Sequence, residues 1–248
     1  MLRCLNNRGS FAQLTTRITF SIFFIVQGEV AKAERYSRDI HFTGEPVSSD
    51  SISGFQGTPF TIGVPDAQGN DDYAVYGIAS EEQRDQPCYV KVRNENINDS
   101  NRQQDLTKEL CDGSPSSKEM SAGYGNLNYD KRSFITGVRV CMNRQKDRVK
   151  GLQVKGRTIS GVGTFDPIHP KHQINPRDIA PLQPQDERSN CNDWKNWASC
   201  PDEHQIATGV ILHFGPGKLP RSLIGVGLQC RTVHVPDLSG EEAPKYVY

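Results

Sequence analysis

Phe134-Ile135-Thr136-Gly137-Val138-Arg139-Val140 and Arg148-Val149-Lys150-Gly151-Leu152-Gln153-Val154-Lys155 alternate apolar and polar side chains at a period of two. A polar segment, Asn143 to Asp147, joins them. Alternation on both sides of a polar turn predicts a β-hairpin with one face on the core and one in water. The pattern returns in Ile206 to Leu212 and Leu223 to Cys230, around a turn of Gly215, Pro216, Gly217, Lys218, Leu219 and Pro220 whose Gly and Pro suit a bend. An earlier hairpin is expected around Pro65 to Asp72. Beyond Ala33 no helical stripe of apolar side chains runs past two turns, so helical folds are excluded.

Glycine marks a repeat in this alternation. Val75-Tyr76-Gly77-Ile78, Val149-Lys150-Gly151-Leu152 and Leu223-Ile224-Gly225-Val226 share an aliphatic-x-Gly-aliphatic form, and Gly77, Gly151 and Gly225 are evenly spaced along the chain. Gly63, Gly137 and Gly209 precede them at nearly constant distances. Because glycine takes only 22 of 248 positions, six in one frame beside like neighbours indicate three related units. A glycine inside a strand marks a bulge or a close approach of another chain segment. An isolated hairpin is marginal in water, so each unit must bury its apolar face on the other two. The expectation is an all-β fold, a β-prism of three pseudo-threefold-related antiparallel sheets. Its repeats span about 50–92, 120–163 and 191–235, with long irregular loops at 93–119 and 164–190. The second loop carries Pro167, Pro170, Pro176, Pro181 and Pro184.

The amino terminus changes the composition that matters. Arg3, Arg8 and Arg17 precede an apolar run from Ile18 to Val26, followed by Ala31-Lys32-Ala33, the arrangement of a cleaved secretory signal over residues 1–33. The run is too short for a bilayer core, which needs about 20 apolar residues, so the chain is not expected to span a membrane. The full chain has 29 basic and 29 acidic side chains, and cleavage after Ala33 would leave the acidic ones in slight excess. That balance offers no basic footprint for nucleic acid. It would also remove Cys4 and leave six cysteines, Cys88, Cys111, Cys141, Cys191, Cys200 and Cys230, an even set that reads as disulfides in an exported chain. Cys200 with Cys230 is the preferred pair, because a short strand pair separates them; the other pairings stay open among 15 connectivities. No cysteine stands in a tight Cys-x-x-Cys pair or beside histidines at zinc spacing, so no metal is expected.

These features resemble two β-prism families, the vitelline membrane outer layer protein I family and the jacalin-like lectins. Asp71-Asp72-Tyr73-Ala74-Val75-Tyr76-Gly77-Ile78 is similar to the acidic pair and aliphatic-Gly-Ile strand that the first family repeats. Trp194-x-x-Trp197-x-x-Cys200, with Ala207-Thr208-Gly209-Val210 and Leu228-Gln229-Cys230, resembles one of its complete units. The likeness covers roughly Gly54 to Val233. The acidic pair occurs in the first unit only, shrinks to Asp147 in the second and is absent from the third. The Gly-x-x-x-Asp sugar loop of jacalin-like lectins has no counterpart at Gly215-Pro216-Gly217-Lys218-Leu219. The resemblance implies a secreted, non-enzymatic binding module with lectin-like affinity for carbohydrate.

The residues name candidates for that chemistry. Trp194 and Trp197 offer aromatic faces for sugar rings, with Asn190, Asn192, Asp193 and Asn196 as polar partners. Asp71 and Asp72 are a further candidate pair for ligand; a glycosidase-like pairing would need one of them to face an apolar pocket, which the alternation of adjacent strand residues argues against. His169 and His172 lack a third ligand, and His204 and His213 lack a nucleophile motif, so no catalytic residue and no cofactor is expected. Asn98-Asp99-Ser100 fits an N-glycosylation acceptor. The expected partner is an extracellular glycan or cell-surface glycoconjugate. The alternatives are a structural extracellular matrix or coat protein, the cell-surface-targeting part of a secreted toxin or adhesin, and a glycan-active hydrolase.

Overall fold

The computed structural model describes residues 41–63, 72–116, 118–124, 131–160 and 183–234. They belong to one compact unit, Arg38–Tyr248. The signal segment, Asp71, His169 and His172 lie outside the described residues. The fold is an all-β prism, with fourteen strands and no helix among the described residues. No helix among them is therefore long and apolar enough to cross a membrane.

Three long hairpins form the frame: β4 (Tyr73–Gln83) with β5 (Gln86–Asn96), β8 (Lys131–Met142) with β9 (Val149–Ser160), and β13 (Gln205–Phe214) with β14 (Leu223–His234). Each becomes a sheet by adding strands at both edges. The first takes β6 (Asp99–Glu109) and β7 (Glu119–Gly123). The second takes β10 (Gln185–Glu187) on one side, and β11 (Asp193–Trp194) and β12 (Ala198–Ser199) on the other. The third takes β1 (His41–Ser48), β2 (Ser53–Gly54) and β3 (Thr58–Ile62) from the opposite end of the sequence, which closes the domain on itself. The inward side chains, among them Val75 and Val92, Val138 and Leu152, Val210 and Leu228, form one core fed by all three sheets. A smaller cluster with Ile97, Phe134 and Ile206 packs the end remote from the hairpin turns.

The threefold frame lies in two bulges per hairpin. In the first strand the register skips Tyr76, Thr136 and Thr208, each followed by a glycine. Near the turn, the second strand skips Cys88, Lys150 and Ile224. Gly77 therefore corresponds to Gly137 and Gly209, at unequal intervals, and not to Gly151 and Gly225. The expected uniform spacing of the repeat is thus corrected. In the first hairpin the position after the second bulge is Tyr89, and Gly63 follows β3, which pairs with β13 in the third sheet. The expected first hairpin around 65–72 is replaced by a turn at Arg84 and Asp85, both with positive φ, of 51° and 65°.

The expected loop at 93–119 is corrected in the same way, and that at 164–190 only near its end, because residues 161–182 lie outside the described residues. Residues 93–119 are mostly sheet: β5 runs to Asn96 and β6 pairs along it from Asn96↔Asp99 to Tyr89↔Glu109. The stretch is polar because β6 is an edge strand with most of its side chains in water, which also removes the apolar alternation from the sequence. Within 164–190, Gln185–Glu187 pairs with Gly151 to Gln153 as an edge strand.

All six later cysteines are paired: Cys88 with Cys111, Cys141 with Cys191 and, as expected, Cys200 with Cys230. Each ties a hairpin strand to the segment beside it: the stretch after β6, the strap before β11, and the end of β12.

Candidate functional site

The two tryptophans are carried against β8, and the register decides where they face. Val138, Val140, Leu152 and Val154 point inward and are fully buried, so Arg139, Cys141 and Lys155 project from the outer face. Trp194 pairs with outward Cys141 and shares its direction. Ala198 pairs with inward Val138 and is buried, which turns the neighbouring Trp197 outward. Main-chain bonds fix the segment: Lys195 N donates to Val140 O at 2.9 Å, Cys200 N donates to Thr136 O at 2.9 Å, and Asp50 N donates to Ser199 O at 3.1 Å. Ser51 Oγ donates to Trp197 O at 3.0 Å.

Both indoles are half-buried, and neither is a bare platform. The Trp194 ring covers Gly151, where a Cβ would stand 3.2 Å from its Cη2 and 2.9 Å from Cys141 Cβ. The Arg139 guanidinium lies 5.1 Å from the Trp194 ring centre and 5.0 Å from that of Trp197. Lys155 Nζ is 5.1 Å from Trp197, within cation–π range. Arg139 Nε also donates to Gln153 Oε1 at 2.6 Å. Among the described residues neither Arg139 nor Lys155 has a carboxylate partner. Burial and the nearby charge of Arg157 hold the Lys155 ammonium below the usual lysine range.

The other expected residues are distributed around this face. Asp193 is tied to Lys195 at 2.5 Å and to Lys146 at 3.7 Å, and the hydrogen bond from Lys195 lowers its carboxyl below the ordinary range. Lys195 in turn lies 5.1 Å from the ring of Phe55, which is 40% exposed. Asn192 is exposed and donates through Nδ2 to Cys191 O at 3.0 Å. Asp72 is not brought to the tryptophans; it precedes β4, where its carbonyl accepts from Ile97 N at 2.7 Å, at the end of the first sheet remote from the turns. His213 is buried, with Nδ1 3.3 Å from Gly57 N, and His204 is half-exposed beside Glu203. Among the described residues no group of three or more His, Cys, Asp or Glu is placed to hold a metal ion.

Arg139 and Lys155 were not singled out from the sequence as site residues. The available signal was the period-two count itself, which puts Arg139, Gln153 and Lys155 on one face of a hairpin whose alternate positions are all aliphatic.

The strand pairing defines a β-prism, and comparisons with solved structures return proteins of the lectin class. Calystegia sepium agglutinin is 11% identical over 75% of this chain and 99% of its own, with a TM-score of 0.34. Malaysian banana lectin is 8% identical over 76% and 99%, with a TM-score of 0.36. Calsepa lectin in complex with a biantennary N-glycan is 10% identical over 76% and 99%, with a TM-score of 0.39. No protein-family model matches the sequence, and no curated protein matches it.

Proposed function

We propose that this chain is a secreted, non-enzymatic β-prism module that binds carbohydrate on the outer face of its second sheet. The observation that carries the reading is the row Trp194, Arg139, Trp197 and Lys155, half-exposed on a rigid hairpin. Aromatic edges supply apolar contact to a sugar ring, while the fixed cations and the amides of Asn192 and Asn196 supply directional polar contacts. Arg139 and Lys155 sit on long paired strands and the tryptophans on a segment bonded to β8, so the groups keep their geometry with little ordering cost when ligand arrives. Three disulfides and the expected signal segment support export to an oxidising compartment.

Screening the chain without residues 1–33 on a glycan array, beside Trp197→Ala and Trp194→Ala, tests the reading. The expected result is a defined set of bound glycans, with Trp197→Ala reducing signal at least tenfold. No bound glycan, or binding indifferent to both substitutions, would reject the site.

A further inference from the structure

The three hairpins present equivalent positions opposite their first-bulge glycines, and these positions differ in charge. Arg93 lies opposite Gly77, Lys155 opposite Gly137 and Gln229 opposite Gly209. Arg93 is neutralised by Glu119, 2.9 Å away on β7. Gln229 carries no charge. Lys155 alone keeps a cation with no carboxylate among the described residues, and it rests on Trp197 with Arg139 beside it. Resting across an indole holds an ammonium or guanidinium in place without cancelling its charge. Because the whole chain is charge-neutral, this local positive row is not a by-product of composition.

We infer that the face formed by Arg139, Lys155, Trp194 and Trp197 selects anionic sugars, with a sulfated polysaccharide as its ligand. The inference rests on the carbohydrate reading above and narrows it. Two cations on neighbouring strands, Arg139 on β8 and Lys155 on β9, match closely spaced anionic groups on an extended chain, and sulfates supply these at every pH at which the protein is folded. Charge-assisted hydrogen bonds from Arg139 and Lys155 to the sulfate oxygens fix the chain. The indoles hold both cations ready, and their exposed edges meet the apolar side of the sugar.

The test uses immobilised heparin, the same polysaccharide after chemical desulfation, and neutral dextran, all at physiological salt. Heparin is expected to bind and the desulfated chain to bind at least tenfold more weakly. Loss of one charge-assisted contact in Lys155→Gln should weaken heparin binding about tenfold. Lys155→Arg should retain it, and Lys218→Gln, an exposed cation on the third hairpin turn, should change it less than twofold. Unchanged far-ultraviolet circular dichroism and urea midpoints confirm that each variant is folded. Equal losses in Lys155→Gln and Lys218→Gln would overturn the inference, because attraction would then be diffuse. Binding of neutral glycans that depends on Trp197 but gains nothing from sulfation would overturn it while leaving the carbohydrate reading intact. Failure to bind any glycan would remove both.

Discussion

Lys150 Nζ lies 2.7 Å from Glu82 Oε1, with the lysine side chain fully buried and Glu82 only 6% exposed. Its other two donors are taken by Asp85, through the main-chain oxygen and Oδ1, each at 2.7 Å. All three protons of the ammonium are therefore matched, which is the condition under which a buried charge is tolerated. Lys150 is the extra residue of its bulge, so its side chain leaves the period-two order and crosses to the turn of the first hairpin. The pair clamps two sheets at the end where the hairpin turns gather.

Removing one member of this clamp should cost more than removing both. Lys150→Met strands the Glu82 carboxylate in the interior and is expected to destabilise the domain by about 3–5 kcal/mol. Lys150→Met combined with Glu82→Leu should recover part of that loss. Urea unfolding of the three proteins checks the order; a single variant as stable as the parent would show that the clamp is not formed.

Acid should loosen the same end. Burial raises the Asp85 carboxyl, but hydrogen bonding and charge from Lys150, with the charge of Arg148, outweigh it and leave the group below its ordinary value. At Asp147 the hydrogen bond from Arg148 dominates in the same direction against burial. A carboxyl held lower in the folded state stabilises fully above its unfolded pKa, about 3.9, and loses that contribution as pH falls through the folded value. Thermal midpoints should decline below about pH 4, and less steeply in Asp85→Asn. An identical acid limb in parent and variant would contradict this assignment.

Gly54 and Gly217 both have positive φ, of 101° and 113°, and separate backbone strain from close packing. A Cβ at Gly217 meets nothing within 4 Å, whereas at Gly54 it would overlap Ile224 O and stand 2.9 Å from Gly225 Cα. Gly217→Ala should cost about 1 kcal/mol. Gly54→Ala should cost at least about 2 kcal/mol more, because main chain cannot yield as a side-chain tip can. Equal losses in denaturant unfolding would mean that β2 does not approach β14 as described.

Cys200 and Cys230 are 30 residues apart, and opening their loop with paired serine substitutions should cost about 3.5 kcal/mol on the chain-entropy account. Denaturant unfolding of the parent and the doubly substituted chain measures it, and equal midpoints would refute the cross-link. This pair was legible in the sequence because alternating strands lie between its members. So were the all-β class and the second and third hairpins, where inward aliphatics alternate cleanly. The first hairpin was not: Gly63 imitated the repeat from another sheet, and Tyr89 occupies the position where its siblings carry Gly151 and Gly225. Polar edge strands such as β6 and β10 were hidden because their stabilisation comes from main-chain pairing, which leaves no apolar pattern. At the candidate site the tryptophans were visible, but their cations were not, since Arg139 and Lys155 meet them only through tertiary packing. The course of Lys150 was hidden as well, because no sequence period announces a bulge.

The two tryptophans of the chain are Trp194 and Trp197, so its indole signals report this face alone. Titrating heparin into the protein while following both indole N–H resonances tests the central claim most directly. Saturable shifts of both resonances, needing about tenfold more heparin in Lys155→Gln, are the predicted result. A bound glycan that leaves both resonances unmoved would contradict the account and place its binding surface elsewhere on the prism.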